Sequence, residues 1–265
     1  MKLFIRLSII IMLLGIMALP SLANLYDGLL LYFTFDEVNG DTVINSAGNG
    51  HDGILEADAK VIDDPAKYGT GALQIDGGSQ AMTVETFTEL EEYQENTLIF
   101  WINFTAPASG GWDQIIAKPA PGSDRSPGLW VTPEGLSIHY RYEPGNLGPW
   151  GVTPTGNQNG EFFEEGIWYH VAGVTQDGEV TCYVDGVEVC AEAVPAEIAQ
   201  GAGGFHVGNS PAYAGAAARF IADDVALYNR ALSEDEILSV MEGAFLAVEA
   251  SDKLASTWGS VKDIR

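Results

Sequence analysis

Three tryptophans and two asparagines are the side chains whose type and context best suit ligand binding. The candidate ligand-binding residues are Trp150, Asn146, Asn157, Trp130 and Trp112. Indole rings stack on the apolar faces of sugars while amides bond to hydroxyl groups, so this combination indicates carbohydrate recognition. Trp150 is the strongest candidate because it lies in the Gly-, Pro- and Asn-rich segment 143–160, and long loops often carry function. The alternative is that Trp150 packs its loop against the domain.

Asp223 is a carboxylate among apolar residues of a predicted strand. It has the same alternation parity as Ile221, Val225 and Leu227, so it should point where its neighbours are apolar. Burying a carboxylate is unfavourable unless it is paired, hydrogen-bonded or bound to a metal. Calcium prefers hard oxygen ligands, which an excess of acidic residues supplies. Asp223 is therefore predicted either to ligate calcium or to accept hydrogen bonds from backbone amides.

Residues for acid–base catalysis form no recognisable pattern in the sequence. A retaining glycosidase needs two carboxyl groups roughly 5 Å apart, and no predicted strand carries an alternating Asp/Glu pair on one face. His139 and Arg141 could neutralise a uronate in a β-elimination, but Tyr140 and Tyr142 fall on the opposite face of that strand. Aromatic packing is the expected role of this segment. The sequence therefore predicts a protein that is not an enzyme.

Residues 1–23 have the layout of a secretory signal peptide. Lys2 and Arg6 precede an apolar run over 7–19 that is short for a membrane span, and small residues precede the expected cleavage after Ala23. We expect a secreted, cell-surface or periplasmic protein with no membrane span after cleavage. Because Lys2 and Arg6 are the only charged residues of the signal, its removal changes the formal net charge from −25 to −27. This charge argues against nucleic acid as a partner, since phosphates would be repelled.

Cys182 and Cys190 are the only cysteines in the sequence, and in an exported protein a disulfide between them is expected. The geometry of the intervening turn decides whether they can meet. A two-residue turn at Asp185-Gly186 places Cys182 opposite Val189 and sends Cys190 to the other face, whereas a three-residue turn places both cysteines on one face. Two buried free thiols are the alternative.

The segment 166–191 gives the strongest strand signal in the chain. Its side chains alternate with a period of two, and its apolar runs surround the dipeptides Asp177-Gly178 and Asp185-Gly186. Asp-Gly is a strong hairpin signal because glycine readily adopts the positive φ that the turn requires. We therefore expect consecutive antiparallel strands here.

The sequence predicts one helix near the C-terminus. Ser233 should cap it, with Glu236 as the partner in a capping box and Gly243 at its end. No linker divides the chain, so we expect one domain over 24–248. The tail over 249–265 has no predicted role.

Five stretches occur in an order that identifies a family. They are YFTFDE with NSAGNGHDGIL, YGTGALQIDGG, IFWINF, WYHVAGVTQDGEVTCYVDGVEV and ADDVALYNRALSEDEI. Together they resemble the laminin-G-like, concanavalin-A-like jelly-roll family and cover most of the chain after the signal. The resemblance agrees with the many short strands and implies an all-β fold, a two-sheet antiparallel jelly-roll sandwich with one short C-terminal helix.

The resemblance also implies a function and a metal site. Domains of this family serve secreted proteins in contacts with glycans or proteins, often with a structural calcium ion. The corresponding metal-site positions are Asp223, Asp76 and Asn45, and at the last an amide replaces the family's carboxylate. We expect a non-catalytic module that recognises glycans. The alternatives are protein adhesion or matrix contact and, third, a hydrolase or lyase that acts on polysaccharides with the same fold.

Overall fold

A computed structural model describes residues 25–201 and 203–245 of the chain. The predicted signal peptide 1–23 and the tail 249–265 lie outside these residues. None of the helices in the described ranges is long and apolar enough to cross a membrane. The described residues form eighteen strands and one complete short α-helix, so the expected all-β class with a C-terminal helix is confirmed.

The elements are short, and most of them are separated by turns rich in glycine, asparagine and aspartate. In chain order they are β1 (Leu29–Phe33), β2 (Val38–Asn39), β3 (Thr42–Val43), β4 (Gly53–Glu56), β5 (Lys60–Ile62), β6 (Ala72–Gly78), β7 (Ala81–Val84), a 3-10 helix (Thr88–Glu91), β8 (Asn96–Phe104), β9 (Asp113–Ala117), β10 (Gly128–Thr132), β11 (Gly135–Arg141), β12 (Val152–Thr153), β13 (Gly156–Asn157), β14 (Trp168–Gln176), β15 (Glu179–Val184), β16 (Val187–Ala193), β17 (Phe205–Gly208), β18 (Ala216–Tyr228) and α1 (Glu234–Met241).

The strands form two layers joined at one corner. In the first layer the order is β16-β15-β14-β8-β18, with β6 and β1 side by side along the far edge of β18 and β5 outside β6. In the second layer the order is β13-β12-β11-β10-β9-β17-β7-β4-β3-β2. The start of β18 pairs in parallel with β9 and connects the layers. The remaining pairings are antiparallel, which is the arrangement expected of a jelly roll.

The main core lies between the two layers. Phe100 and Val171 from the first layer and Leu129 from the second belong to one buried cluster, and each is at most 1% exposed. The two layers are in close contact at Gly173, where a Cβ atom would lie 2.1 Å from the Tyr140 ring. Glycine at this position therefore lets the Tyr140 ring fill the space of a side chain.

Helix α1 covers the outer face of the first layer. Ser233 accepts a hydrogen bond from the backbone N–H of Glu236, and the Glu236 carboxylate accepts one from the N–H of Ser233 at 2.9 Å, so the predicted capping box is confirmed. Ile237 and Val240 are buried in a second apolar cluster with Ala172 of β14. Helix α1 thus covers the outer face at β14, while the outermost strand β16 stays largely exposed.

The hairpins of β14, β15 and β16 form as the sequence predicts. Asp177 and Gly178 have φ angles of 52° and 79°, and Asp185 and Gly186 have φ angles of 49° and 76°. Two consecutive positive φ values are typical of a type I′ turn, whose twist matches that of the flanking strands. Each Asp-Gly dipeptide therefore sets the register of one hairpin.

A β-bulge in β16 brings the two cysteines face to face by a route that neither predicted register contained. Val184 pairs with Val187 across a two-residue turn, but the register then shifts and Cys182 lies opposite Cys190. Both are free thiols, of which Cys182 is buried and Cys190 half-buried. A hydrogen bond between the two side chains raises the pKa of the Cys182 thiol and lowers the pKa of the Cys190 thiol.

His170 lies in a row of side chains on the outer face of the first layer. It pairs with Trp101, which in turn pairs with Asp223, and the His170 and Trp101 ring centres are 5.1 Å apart. His170 is fully buried, and neither ring nitrogen has a hydrogen-bond partner among the described residues. Burial, together with the positive charge of Lys67, lowers the pKa of His170 to about 3. The ring is therefore neutral in the folded protein.

We predict that Cys182 and Cys190 form a disulfide when the protein is made in an oxidising compartment. Residues directly opposite in an antiparallel pair have Cα atoms about 4.5–5.5 Å apart, within the range of disulfides. Iodoacetamide should label no thiol in denatured protein until reductant is added, and reduction should lower the melting temperature. Cys190→Ser is the control, and adding reductant should not change its melting temperature. Two labelled thiols in protein exported and purified without reductant would contradict the prediction.

We predict that acid destabilises the fold partly through His170. Its unfolded pKa is about 6.5, so the stability gained by keeping it neutral is complete above that pH and is lost as the pH falls towards its folded pKa of about 3. The free energy of unfolding of His170→Leu should therefore depend less on pH below 6.5, with a difference in slope of up to about 1.4 kcal/mol per pH unit. Chemical denaturation at several pH values measures this slope. His51→Leu, at a partly exposed histidine, is the matched control, and parallel profiles for the wild type and His170→Leu would refute the assignment.

Candidate functional site

The outer face of the second layer carries a group of aromatic side chains. Strand alternation sends Leu129 and Ile138 into the core, so their neighbours Trp130 and His139 point outwards. Trp130 and His139 are directly opposite in the register of β10 and β11. The predicted division of the β11 side chains between two faces is therefore confirmed, and it positions the floor of a site.

A cavity of about 280 Å³ lies over this floor, on the far side of the sandwich from helix α1. Loops before β9, between β9 and β10, after β11 and before β18 contribute its walls. The lining residues are Trp112, Arg125, Trp130, His139, Asn146, Trp150 and Tyr213. We call this space the aromatic cavity.

The aromatic rings of the cavity pack against one another. The ring centres of Trp112 and Trp150 are 5.6 Å apart in an edge-to-face arrangement, and the His139 ring lies 4.6 Å from Trp112 and 4.8 Å from Trp150. On the other side Tyr213 lies 5.8 Å from Trp130, also edge to face. Such pairs are favourable beyond the area that they bury, so the rings form a preorganised surface.

His139 connects the floor of the aromatic cavity to its most exposed wall. Its Nδ1 donates a hydrogen bond to the backbone carbonyl of Trp150 at 2.8 Å, which places the proton on Nδ1 because a carbonyl can only accept. Burial lowers the pKa of His139 to about 4, so the ring is neutral near pH 7. This bond holds the Trp150 loop in place while the indole itself stays 41% exposed.

Arg125 and Asn146 supply polar groups at the rim. Arg125 Nη1 donates to Asn146 Oδ1 at 2.6 Å, and its Nε donates to Asp124 Oδ1 at 2.7 Å. The guanidinium carbon lies 4.7 Å from the centre of the Trp130 ring. Stacking and two hydrogen bonds together fix the plane of the guanidinium group.

Four of the five predicted ligand-binding residues come together in the aromatic cavity, namely Trp112, Trp130, Trp150 and Asn146. Asn157 does not, because it lies in β13 and is used structurally. Its Oδ1 accepts a hydrogen bond from the backbone of Gly151, and its Nδ2 donates to Glu192. Asn157 thus braces the base of the loop that carries Trp150.

Three lining residues were not among those predicted: Arg125, His139 and Tyr213. The sequence placed His139 on the face opposite Tyr140, but its position beside Trp130 follows only from the register between strands. Arg125 and Tyr213 lie in loops far apart in the chain, and no local pattern relates them to the tryptophans.

The expected position of Asp223 needs correction. A register shift in β18 adds a residue after Asp223, so Val225 and Leu227 face the core while Asp223 faces the outer side with Ile221. Asp223 Oδ2 accepts hydrogen bonds from the backbone N–H groups of Lys67 and Tyr68 at 2.8 and 3.1 Å. The alternative of backbone hydrogen bonding therefore describes Asp223, and burial, followed by the charge of Asp224, raises its pKa to about 8.

The three residues predicted to ligate calcium do not form one site. Asp76 is exposed and pairs with Arg219, four residues before Asp223 on β18, which corresponds to about 13 Å along a strand. Asn45 is buried, and its Oδ1 already accepts two backbone hydrogen bonds. No group of three or more His, Cys, Asp or Glu side chains suited to a metal occurs in the described ranges. The residues present do not fit a shared ion, and calcium binding stays a prediction of the sequence.

Comparison with solved structures identifies proteins of the same fold. A Trypanosoma rangeli sialidase in complex with 2,3-difluorosialic acid superposes with a TM-score of 0.61 at 18% identity, covering 84% of this chain and 33% of that one. The same sialidase with sialic acid gives a TM-score of 0.59 at 18% identity, covering 83% and 33%. The binding domain of Paraclostridial Mosquitocidal Protein 1 gives 0.63 at 14% identity, covering 83% and 53%. The chain therefore spans about a third of the sialidase chains that it matches.

These matches contradict the prediction that the chain is not an enzyme. Chains with this fold include sialidases, which are enzymes that act on glycans. A pair of carboxylates along a single strand is absent from the sequence, but a site on this fold draws on several strands and loops, so that absence does not exclude acid–base chemistry. The expectation of a non-catalytic module is withdrawn.

Comparison with families confirms the resemblance noted in the sequence. No curated protein sequence matches the chain. The family described as the concanavalin A-like lectin/glucanases superfamily matches residues 76–238, a range that includes the whole aromatic cavity. The chain belongs to the concanavalin A-like lectin/glucanase superfamily.

Proposed function

We propose that the chain recognises carbohydrate and that the aromatic cavity is the binding site. The observation that carries this proposal is the convergence of Trp112, Trp130, Trp150 and Tyr213 around one cavity of about 280 Å³. That volume lies just below the range for small-ligand pockets, about 300–1,000 Å³, so it suits a ligand as small as a single sugar ring.

The chemistry of the walls matches that of a sugar. A pyranose ring has apolar C–H faces, which stack on indole, and a rim of hydroxyl groups, which need hydrogen-bond partners. The exposed indole of Trp150 and the half-buried indole of Trp112 offer the stacking surfaces. Arg125 and Asn146 offer donors and acceptors beside them. Because the rings are held by one another and by His139, little conformational entropy is lost on binding.

Family membership and the sialidase matches support this proposal at the level of the fold. Export of the protein belongs to the proposal and rests on the sequence of residues 1–23. Glycans of cell surfaces and matrices are found in the compartment that export reaches.

We predict that Trp150→Ala weakens carbohydrate binding by about tenfold or more, since it removes the exposed stacking ring. A glycan array would identify ligands, and isothermal titration calorimetry would compare affinities. Phe162→Ala removes an aromatic ring that is 49% exposed and lies outside the cavity, so it is the matched control. Equal binding by the wild type and by folded Trp150→Ala would place the site elsewhere.

The sialidase matches favour glycoside hydrolysis as a second candidate function. Asp124 and Glu143 border a neighbouring cavity of about 500 Å³ that also includes Arg125, so carboxyl groups lie next to the aromatic cavity.

If this second candidate holds, the chain should release methylumbelliferone from aryl sialosides or aryl glycosides. Glu143→Gln should reduce that rate by about a hundredfold, the contribution typical of a general acid or base. Glu165→Gln alters an exposed carboxylate elsewhere and is the control. No release from any aryl glycoside by protein that binds sugar would eliminate this candidate.

A further inference from the structure

The aromatic cavity has a charge that contrasts with the chain as a whole. The sequence contains 37 Asp and Glu against 12 Lys and Arg. Among the seven residues that line the cavity, however, Arg125 is the one formally charged side chain, and no carboxylate lines it. His139 is neutral, as its lowered pKa requires. The aromatic cavity of this strongly acidic protein therefore has a cationic side chain, Arg125, in its wall.

Arg125 is held in place with one edge unused. Its Nε bonds to Asp124 at 2.7 Å and its Nη1 to Asn146 at 2.6 Å, while Nη2 makes no hydrogen bond within the described residues. The side chain is 22% exposed, and its face rests on Trp130. A guanidinium fixed in this way presents its remaining N–H groups in a defined plane, which favours a planar acceptor such as a carboxylate.

A second guanidinium adds positive charge beside the cavity. Arg141 lies with its central carbon 5.8 Å from the centre of the Trp150 ring, and it bonds to the backbone carbonyls of Asn146 and Gly148. Both arginines also donate to the same Asn146 Oδ1, at 2.6 and 3.4 Å. Arg141 has no carboxylate within ion-pair distance in the described residues. Burial, followed by repulsion from Arg125, lowers the pKa of Arg141, while the carboxylates of Glu192 and Glu143 act in the opposite direction.

Two like charges that share a neutral amide repel each other, and a bound anion relieves that repulsion. Asp124 neutralises only the Nε edge of Arg125 and lines the neighbouring cavity instead. The carboxylates near the two arginines are those of Asp124, Glu143 and Glu192, and none of them lines the aromatic cavity itself. A ligand that brings its own negative charge completes the arrangement, whereas a neutral sugar leaves it incomplete.

We propose that the aromatic cavity selects sugars that carry a carboxylate, with the carboxylate accepting hydrogen bonds from Arg125 while the ring stacks on Trp150 and Trp112. This assignment rests on the proposed carbohydrate-binding function and specifies its ligand class. Uronic acids and sialic acids share the required chemistry. The cavity distinguishes them from neutral sugars by charge and from phosphates by the aromatic stacking surface.

Calorimetric titration of the full chain with matched sugars tests the proposal. The pairs are glucuronic acid with glucose and galacturonic acid with galactose, and N-acetylneuraminic acid and the methyl ester of glucuronic acid complete the set. Each acid should bind at least about tenfold more tightly than its neutral partner, which is the size of a hydrogen bond to a charged group. The ester should bind like glucose, and added salt should weaken binding of the acids but not of the ester.

Two variants test whether Arg125 causes the preference for acidic sugars. Arg125→Gln should lose the preference for acids, so that it binds each acid no more tightly than the matched neutral sugar. Arg219→Gln, at an exposed arginine outside the cavity, should keep it. Tighter binding of N-acetylneuraminic acid than of both uronic acids would identify sialylated glycans as the source, and the reverse order would identify uronate polymers, so either order supports a carboxylate ligand.

Three outcomes overturn the proposal in distinguishable ways. Equal affinity for acids and their neutral partners in the wild type, with binding lost in Trp150→Ala, would refute the ligand class and leave carbohydrate recognition intact. A preference for acids that survives in Arg125→Gln would refute the role of Arg125. If no sugar of either kind bound to the wild type, carbohydrate recognition itself would fail. The ester and salt comparisons use wild-type protein, so they remain decisive even if a variant fails to fold.

Discussion

The register between β10 and β11 is the constraint on which the site depends. Trp130 faces His139 only because Leu129 and Ile138 lie one step away on the buried side, and a slip of one residue would exchange the two faces. The buried side resists such a slip, since the Tyr140 ring occupies the space left by Gly173 in the opposing layer. Core packing on one surface of the sheet thereby fixes the positions of the aromatic rings on the other.

Local patterns predicted those parts of the structure whose causes are local. The Asp-Gly dipeptides form the two tight turns because glycine readily adopts the positive φ that the turn requires. Ser233 and Glu236 form the helix cap because the side chain of each accepts a hydrogen bond from the backbone N–H of the other. The alternation of β11 was also readable, since a two-residue period needs only one strand. The tryptophans could be recognised as binding candidates by type alone.

Two β-bulges explain why the predicted face of Asp223 and both predicted registers of Cys190 were wrong. Strand β18 has one extra residue after Asp223, and β16 has one at Val189. Each extra residue moves the side chains beyond it to the opposite face of the sheet. Alternation rules assume that no residue is added, so Asp223 was assigned to the same face as Val225, and Cys190 was placed by turn length alone. The extra residue depends on pairing with a distant strand, which is not visible from the residues themselves. The same limitation hid Arg125 and Tyr213.

The overall charge and the charge at the site act over different distances. A formal charge of −25 repels any acidic ligand from afar, but salt screens that field over about 10 Å. The Arg125 side chain is only 22% exposed, so solvent weakens its field less at the cavity. At the proposed site, discrimination between ligands would therefore be decided at contact and not by the overall charge.

The walls of the cavity come from four separate loops, which carry Trp112, Arg125, Trp150 and Tyr213, whereas the floor comes from paired strands. Loop side chains contribute little to the packing between the layers, so substitutions among them can accumulate without loss of the scaffold. The residues that form the cavity walls are therefore nearly all different from the residues that stabilise the fold. Over evolutionary time, such a chain can change the ligand of the proposed site by substitutions at a loop tip, while the sandwich beneath it is inherited unchanged.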